Sequence, residues 1–340
     1  MMPGALARWH KPVLLLAAFL LLCLAARGLL FRHSLTSTLQ LSEPYVLDVA
    51  PGSSLRRVLR NLEGEGILPR ASDLLFYARF TDHATRMQAG EYLLTPDLDG
   101  RALLDLLASG KVIFHEVRLV EGWTLQQALR QIQSHPAVKV ELDPEDTERL
   151  AMEFGEGRYP EGLFFPDTYF FTRGTSDTQL LRRARWLMDE VVDTLWPARY
   201  SGLPFDTPYE ALILASIIEK ETGLAEERGQ IAGVFVRRLQ QNMRLQTDPT
   251  VIYGLGNDFD GNLTRSHLQT DTPWNTYTRH GLPPTPIALP GLAAIEAALH
   301  PEPGNTLYFV ARGDGSHQFS ATLEEHNQAV RRYQLRQEVP

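Results

Sequence analysis

The sequence predicts an α+β fold preceded by one membrane-spanning helix. Three observations support this prediction: a continuous apolar run near the N-terminus, alternating strand and helix patterns in the middle of the chain, and an apolar helix pattern that ends at an acidic residue. At 340 residues the chain is long enough for two or three modules, because a single hydrophobic core rarely grows beyond ~250 to 300 residues. Its 44% hydrophobic and 22% charged residues are ordinary for a globular protein.

The charge balance argues against a nucleic-acid binder. The formal net charge is -8 and the isoelectric point is near 5.7. Lys and Arg residues form no long run, whereas binding to a phosphate backbone needs a basic field. We therefore expect no nucleic-acid partner.

The first element is an apolar segment near the N-terminus. Residues 13–31 are apolar apart from Arg27 and Gly28. About 19 residues at ~1.5 Å per residue span roughly 28 Å, which is close to the thickness of a bilayer core. We predict a transmembrane helix at residues 12–31, which anchors the chain in a lipid bilayer and leaves residues 1–11 as a tail.

The flanking charges indicate how this helix is oriented. Arg8 and Lys11 precede the apolar segment, and Arg27 and Arg32 lie at its far end. The positive-inside rule weakly favours a cytoplasmic N-terminus, helped by the position at the start of the chain. The rest of the chain is then expected on the opposite side of the membrane.

Two other N-terminal signals fit less well. A cleaved signal peptide is the main alternative, but Leu24-Ala25-Ala26-Arg27 is a poor cleavage site and the apolar run exceeds the usual ~7 to 15 residues. A lipoprotein signal needs a smaller residue than Leu22 before Cys23. Cys23 is the only cysteine, so the remainder of the chain has none, as suits a domain that avoids stray disulfides outside the cytoplasm.

An internal repeat follows a short polar linker at residues 32–44. Residues 45–62 align without gaps to residues 115–132, and Gly52 falls on Gly122, an offset of 122 minus 52, or 70 positions. Each copy is predicted to be a strand, a glycine turn, a Ser or Thr N-cap and a helix with an apolar stripe. A chance match is the alternative, because such units are common.

The remaining elements follow from local patterns of apolar, Gly and Pro residues. The aromatic segment 161–169 is predicted to be a hinge or one wall of a cleft, and a Pro-rich connection at 196–208 favours a domain boundary near residue 170. Helices are predicted at 72–80, 100–109, 143–156, 177–192 and 323–334, and strands at 90–94, 307–311 and 317–320, the last two joined by a turn at 313–315.

The most informative helix ends at an acid. Thr207, Pro208 and Glu210 form a capping box with proline at the first helical position. The residues that follow are apolar on all sides, so the helix should be buried. Glu219 lies in its last turn. Burial and the negative end of the helix dipole should both raise the pKa of Glu219, which is what a general acid needs.

Glu219 also has a purely structural explanation. It could pair with Arg228, Arg237 or Arg244 as an ordinary ion pair. Small residues three and four positions earlier on the helix nevertheless leave space beside the carboxylate. From this helix alone, both interpretations stay open.

Polar and aromatic residues further along the chain complete a candidate site. The segment 243–253 is predicted to be extended up to Pro249, and the loop 273–278 carries Trp274. Aromatic faces and planar amides suit the binding of a sugar ring, although such residues are also ordinary in loops. The predicted substrate-binding residues are Gln246, Thr247, Asp248, Tyr253, Asn275 and Tyr277.

Other catalytic chemistries find no support in the sequence. It contains no HExxH motif and no paired His and Cys spacing, so we predict no metal site. Gly52-Ser53-Ser54 does not match a nucleophile elbow, and Cys23 lies in the predicted membrane segment. With no phosphate-binding glycine loop either, we expect no cofactor and acid–base chemistry at Glu219.

Several motifs together point to a family. ASIIEKET, which contains Glu219, is followed by RLQTDPTVIYG, NTY and GLPP. This set closely resembles the YceG-like family, the MltG-type endolytic murein transglycosylases, and the resemblance extends over nearly the whole chain. It implies a LysM-like α+β module at 45–113, a connecting α+β region at 114–170 and a mixed α+β catalytic domain at 171–340. It also implies that Glu219 is the essential catalytic residue.

The resemblance further implies a function. It implies a single-pass protein of the bacterial inner membrane whose periplasmic domain cleaves the MurNAc–GlcNAc bond of nascent peptidoglycan. The cleavage would leave 1,6-anhydroMurNAc ends and terminate strand elongation. Glycan strands are then the substrate, and peptidoglycan synthases (penicillin-binding proteins) are candidate partners. Because the 6-hydroxyl of the sugar is an intramolecular nucleophile, one acid suffices. Leu289 departs from the family pattern, which weakens the expectation that its loop touches substrate.

Two alternatives belong to other classes of function. A muramidase would use water and a second carboxylate, for which Glu221 and Asp248 are the candidates. A membrane-anchored peptidoglycan-binding protein would need the LysM-like module and no chemistry. A catalytic role for Glu219 argues against the binding protein. Activity of the part outside the membrane on purified glycan strands would separate an enzyme from a binding protein.

Overall fold

The computed structural model describes residues 10–335 of the chain. The backbone divides into two compact units, one ending at His115 and the other beginning at Glu116. Both combine helices with short strands, which confirms the prediction of a mixed α+β protein with an N-terminal apolar helix.

The first unit is built on a two-stranded sheet. Its elements are α1 (His10–Thr36), β1 (Tyr45–Val49), α2 (Leu55–Gly64), α3 (Ala71–Phe80), α4 (His83–Arg86), β2 (Gly90–Leu94) and α5 (Gly100–Ser109). Strands β1 and β2 pair antiparallel, with Tyr45 opposite Leu94. Leu59, Leu74 and Leu103 are among the buried side chains that form the core of this unit.

The second unit contains two further strand pairs among many helices. Its elements are β3 (His115–Arg118), which begins at the boundary, α6 (Leu125–Gln133), α7 (Thr147–Phe154), β4 (Thr168–Phe171), α8 (Asp177–Leu195), α9 (Pro208–Glu221), α10 (Ala225–Gln240), α11 (Asp248–Leu255), α12 (Arg265–Gln269), α13 (Leu292–Leu299), β5 (Tyr308–Ala311), β6 (His317–Ser320) and α14 (Leu323–Tyr333). Strand β3 pairs with β4, and β5 pairs antiparallel with β6. Short 3₁₀ helices lie at Trp196–Ala198 and Gly256–Asp258.

Helix α1 has the length and composition of a membrane span. The 24-residue segment Val13–Thr36 contains an 18-residue window with a mean hydropathy of 2.6, and this window is not buried within the protein. Most of the predicted tail, residues 1–11, lies outside the described residues.

The end of α1 differs from the prediction of a polar linker at 32–44. The helix continues to Thr36, and Leu35 and Leu39 are buried in the core of the first unit. Arg27 forms an ion pair with the buried Asp73, which also accepts a hydrogen bond from Ser34. The Ser and Thr content of this segment suggested a linker, but the burial of Leu35 and Leu39 docks it on the core of the first unit.

The predicted strand–turn–helix repeat is confirmed in both copies. In each, the strand is followed by a glycine in the left-handed region, with φ of 77° at Gly52 and 76° at Gly122. Ser54 and Thr124 then cap the helices by accepting a hydrogen bond from the backbone N–H three positions later. Positive φ is costly for residues with a Cβ, so glycine is favoured at both turns.

Helix α9 forms the centre of the second unit. Residues 211–218, apolar except for Ser216, are all buried, and the helix packs against α10 and α13. The predicted capping box is present: the Thr207 hydroxyl accepts from the N–H of Glu210, and the Glu210 carboxylate accepts from the N–H of Thr207. These observations confirm the prediction of a buried helix with Glu219 in its last turn.

The segment predicted as extended at 243–253 is only partly so. Gln246 has a φ of 52° and Thr247 is extended, but α11 begins at Asp248. Pro249 therefore lies in the first turn of a helix, where a missing N–H breaks no helical hydrogen bond. The predicted helix at 143–156 is also shorter, because Asp146 caps α7 at Thr147.

Candidate active site

Glu219 occupies the C-terminal end of the buried helix α9. Its side chain is 7% exposed, although Lys220, the next residue, is exposed. The expected space above Ser216 is filled: this buried hydroxyl donates to the carbonyl of Ile213 and accepts from the N–H of Ile287 at 3.0 Å. Ser216 thus holds the chain at Ile287 against the helix instead of leaving a void.

The carboxylate of Glu219 has a small set of polar neighbours. Its Oε2 accepts a hydrogen bond from the N–H of Gly291 at 3.0 Å. Nη2 of Arg228 lies 3.8 Å from its Oε1, which is within ion-pair range but too long for a hydrogen bond. Of the three arginines considered as ion-pair partners, Arg237 and Arg244 instead donate to backbone carbonyls elsewhere.

The surroundings favour the protonated form of Glu219. Burial is the largest influence and raises its pKa, and the nearby carboxylate of Glu121 raises it further. The N–H of Gly291, Arg228 and Lys220 act in the opposite direction, and the balance remains a raised pKa. A raised pKa is the direction that a general acid needs, because such a group must carry a proton when substrate is bound.

The glycine turn of the second repeat copy packs beside Glu219. The N–H of Gly122 donates to the carbonyl of Leu289 at 2.9 Å, and the N–H of Leu289 donates to the carbonyl of Trp123 at 2.7 Å. Nζ of Lys220 donates to the carbonyl of Gly122 at 3.1 Å. These bonds fix the turn and the loop before α13 on either side of the acid.

Two residues of this arrangement escaped the sequence analysis. Glu121 precedes the repeat glycine, and only that glycine's alignment drew attention to the turn. Gly291 carried no signal at all, because its importance lies in a backbone N–H. The loop at Leu289, where the family pattern is broken, acts through its backbone, so an apolar side chain there does not disturb its contacts.

A cleft of about 770 Å³ lies in the second unit, and Glu219 itself is not among the residues that line it. Lys220 and Thr124, which flank the acid and the glycine turn in the chain, both line it. Its walls combine aromatic rings with amide and guanidinium groups. They include Gln126, Arg130, Tyr159, Tyr253, Asn257 and Trp274.

A second buried acid, Glu161, lies in the wall of this cleft. It is 1% exposed. Its Oε1 accepts from the N–H of Leu125 at 2.8 Å and its Oε2 from the hydroxyl of Tyr253 at 3.1 Å. Burial raises the pKa of Glu161 to about 7. The aromatic segment 161–169 therefore does contribute a cleft wall, as one of its two predicted roles, but the acid within it was not singled out.

The predicted substrate-binding residues do not form one group. Tyr253 lines the cleft of about 770 Å³, whereas Gln246, Asp248 and Tyr277 line a separate depression of about 490 Å³ together with Glu221. There the hydroxyl of Tyr277 donates to Asp248 at 2.6 Å.

The other two, Thr247 and Asn275, are buried and bonded within the protein. The Thr247 hydroxyl donates to Glu221. The amide nitrogen of Asn275 is within hydrogen-bonding distance of the carbonyls of His267, Leu268 and Thr270, and its oxygen accepts from the N–H of Tyr277. Their side chains hold loops in place.

No group of three or more His, Cys, Asp or Glu side chains in the described part of the chain is arranged to hold a metal ion. Cys23 is exposed on α1.

Comparison with known proteins matches residues 47–332 to the YceG-like family. The endolytic murein transglycosylase of Bacillus subtilis (strain 168) is 32% identical over 306 residues, which cover 84% of each chain. The endolytic murein transglycosylase of Streptococcus pneumoniae is 27% identical over 325 residues, covering 85% of this chain and 58% of that protein.

A solved structure is similar as well. The crystal structure of a yceG-like protein from Listeria monocytogenes is 31% identical and superimposes with a TM-score of 0.53, covering 84% of this chain and 99% of that one. The family match covers far more than half of the sequence and includes both the glycine turn and Glu219. The chain belongs to the YceG-like family.

Proposed function

We propose that this protein is an endolytic lytic transglycosylase that cleaves the glycan strands of peptidoglycan. The observation that carries the proposal is Glu219, a carboxyl group that is 7% exposed at the end of a buried helix and has a raised pKa. The next residue, Lys220, lines a cleft large enough for sugar rings. Relatives named endolytic murein transglycosylase, at 32% and 27% identity, support it.

The proposed reaction needs one proton donor. Glu219 gives its proton to the oxygen that links C1 of N-acetylmuramic acid to N-acetylglucosamine, and the C1–O bond breaks. The 6-hydroxyl of the same muramic acid attacks C1, and its proton passes to the Glu219 carboxylate, which restores the acid. The products are a 1,6-anhydroMurNAc end and a free GlcNAc hydroxyl, with no water consumed.

The cleft of about 770 Å³ is the proposed glycan site. The rings of Tyr253 and Trp274 lie 5.7 Å apart, centre to centre, in its wall. They offer apolar faces to sugar rings, while Gln126, Arg130 and Asn257 offer donors for hydroxyl and N-acetyl groups. Of the substrate-binding residues predicted from sequence, Tyr253 is the one that this site retains.

The membrane arrangement is part of the proposal. Helix α1 anchors the chain in the inner membrane with its N-terminus in the cytoplasm, and the rest of the first unit and the whole second unit lie in the periplasm. Exposed apolar residues along α1 support an anchor, since a helix of this kind is not stable in water. Residues 45–113 are proposed to act as a LysM-like glycan contact, and penicillin-binding synthases as partners that deliver nascent strands.

The proposal is tested with uncrosslinked glycan strands and the purified full-length protein in detergent. The wild type should leave ends lighter by one water molecule than reducing ends, as read by mass spectrometry. Glu219→Gln should fold normally and lose at least about a hundredfold in rate, since the general acid is gone. Glu226→Gln, an exposed acid on α10, is the matched control and should stay active.

Other products would favour the alternatives. Reducing ends that carry oxygen from labelled water would identify a muramidase. Glycan binding without any cleavage would identify a non-catalytic anchor protein, and Glu219→Gln at wild-type rate would reject Glu219 as the acid.

A further inference from the structure

A second carboxylate lies next to Glu219, and it is neither of those considered from sequence. Glu121 is in the turn after β3, beside the glycine that packs on Glu219. A Cβ atom placed on Gly291 would lie 2.0 Å from Oε1 of Glu121. Glu121 thus covers the open face of the same residue whose N–H donates to Glu219.

The position of Glu121 is set by the fold of the second unit. The N–H of Gly122 donates to the carbonyl of Leu289, and the carbonyl of the next residue, Trp123, accepts from the N–H of Leu289. The carbonyl of Gly122 accepts from Lys220. A Cβ on Gly122 would lie 3.9 Å from Cγ of Glu219. The turn is therefore in van der Waals range of the acid, and these bonds hold the backbone next to Glu121 in this neighbourhood.

We propose that Glu121 is a positioning residue for the reaction. Its negative charge acts through Glu219, because it favours the protonated form of that acid. The inference rests on the proposed function of Glu219. Glu121 itself is exposed, so water can solvate its charge while Glu219, far less exposed, is the group that must take up a proton. The two carboxylates then have separate tasks, as in other sites where paired acids differ in environment.

The charges that bear on Glu219 come from every element packed against it. Glu121 from the turn raises its pKa, whereas Arg228 from α10, Lys220 from α9 and the N–H of Gly291 lower it. Burial is the largest influence and also raises it. Without Glu121 the remaining charged neighbours are both positive, and they favour early loss of the proton.

The same charge helps the second half of the reaction. Once Glu219 has protonated the leaving oxygen, both carboxylates beside Gly291 carry charge. Repulsion between them makes Glu219 a stronger base for the proton of the 6-hydroxyl. Glu221 and Asp248, the candidates from sequence, are placed differently. Glu221 is bonded to Thr247, and both acids line the separate depression with Tyr277.

The test is the pH profile of kcat/KM for anhydro-end formation, measured on the full-length protein in detergent. Glu121→Gln removes the charge and keeps the shape. It should lower the rate by about tenfold or more near neutral pH and move the basic limb of the profile to lower pH. Glu121→Asp keeps the charge and should retain most of the wild-type profile.

Glu116→Gln is the matched control, because Glu116 is an exposed acid on β3 just before the turn. Its profile should overlay that of the wild type. Thermal unfolding of each variant shows whether the fold is kept. Should Glu121→Gln simply misfold, Glu121→Asp and Glu121→Lys are compared instead, since reversal of the charge should shift the basic limb furthest.

Two results are kept apart by this design. An unchanged basic limb in folded Glu121→Gln, while Glu219→Gln is inactive, overturns the role of Glu121 and leaves the proposed function standing. Activity in Glu219→Gln overturns the proposed function itself, whatever Glu121 does.

Discussion

The two strand–turn–helix copies have the same local structure and different surroundings. Gly52 and Gly122 adopt φ values of 77° and 76°. Nothing lies within 4 Å of a Cβ placed on Gly52, whereas one on Gly122 would lie 3.6 Å from Cδ of Lys220 and 3.9 Å from Cγ of Glu219. Local sequence builds the turn in both cases, and only the second copy is packed against the acid.

The residue before the turn glycine also differs between the two copies. Pro51 stands in the first copy where Glu121 stands in the second. Proline fixes a turn and carries no charge, while Glu121 faces Gly291. Both copies of the repeated unit therefore share the same turn geometry, but only the second copy contributes residues next to the acid. Paired substitutions in the two copies therefore separate stability from chemistry.

The largest paired effect is expected in the helix cores. Leu59 of α2 and Leu129 of α6 occupy equivalent positions and are both fully buried. Replacing either with Ala should cost about 2 to 5 kcal/mol, because each leaves a cavity in a packed core. Hydrogen exchange read by mass spectrometry should show the loss in the first unit for Leu59→Ala and in the second for Leu129→Ala.

Each unit has its own apolar core, which is why the effects should stay separate. Only Leu129→Ala should lower the temperature at which the protein loses its activity. Equal loss of protection in both units from a single substitution would contradict the division of the chain at residue 115.

Glu161 supports a contact of the second copy, and its effect should depend on pH. It accepts from the N–H of Leu125, the first residue of α6. Its pKa is about 7 in the folded protein against an ordinary 4.5. Between pH 4.5 and 7 the folded protein binds the Glu161 proton more tightly than the unfolded chain does. The stabilising contribution of this proton is therefore complete below pH 4.5 and is lost as pH rises through 7.

The full difference corresponds to about 3 kcal/mol. Urea unfolding of the second unit at pH 5 and pH 8 measures it. Glu161→Gln keeps a carbonyl oxygen for Leu125 and does not titrate, so its stability should change less between the two pH values than that of the wild type. An equal change in both proteins would assign the pH dependence to other groups.

Substitution of the two turn glycines separates strain from catalysis. Gly52→Ala and Gly122→Ala should each lose about 1 to 2 kcal/mol of stability, because alanine is strained at positive φ. Gly122→Ala should also lose activity, by about tenfold or more, since a shifted turn displaces Glu121 and the carbonyl that binds Lys220. Equal activity in the two folded variants would show that the turn has no part in the chemistry.

How far the sequence predicts this molecule depends on the kind of signal each part carries. The capping box at Thr207, the glycine turns and the β5–β6 hairpin are written in adjacent residues, and all were confirmed. The burial of Glu219 followed from the apolar helix around it. Local rules of capping, periodicity and turn geometry act within a few positions, so they can be applied to a sequence directly.

The parts that were missed depend on long-range contacts. Glu121 and Gly291 reach Glu219 from 98 and 72 positions away in the chain. Asn275 looked like a sugar ligand, but its amide is directed at the backbone of the preceding loop. Local composition does not say which side chains face a cleft, because that is decided by how α9, the turn and the loop before α13 pack together.

The smallest paired effect concerns the helix caps. Ser54→Ala and Thr124→Ala each remove a hydroxyl that accepts from a backbone N–H, at a cost of about 1 kcal/mol. The loss should be slightly larger at Thr124, because its capping box also includes Gln127, whose side chain accepts from the N–H of Thr124. Thr124 lines the proposed glycan cleft as well, so its loss should raise KM for glycan strands while kcat stays near wild type. Ser54→Ala should leave both constants unchanged, and a matching rise in KM there would assign glycan binding to the first copy as well as the second.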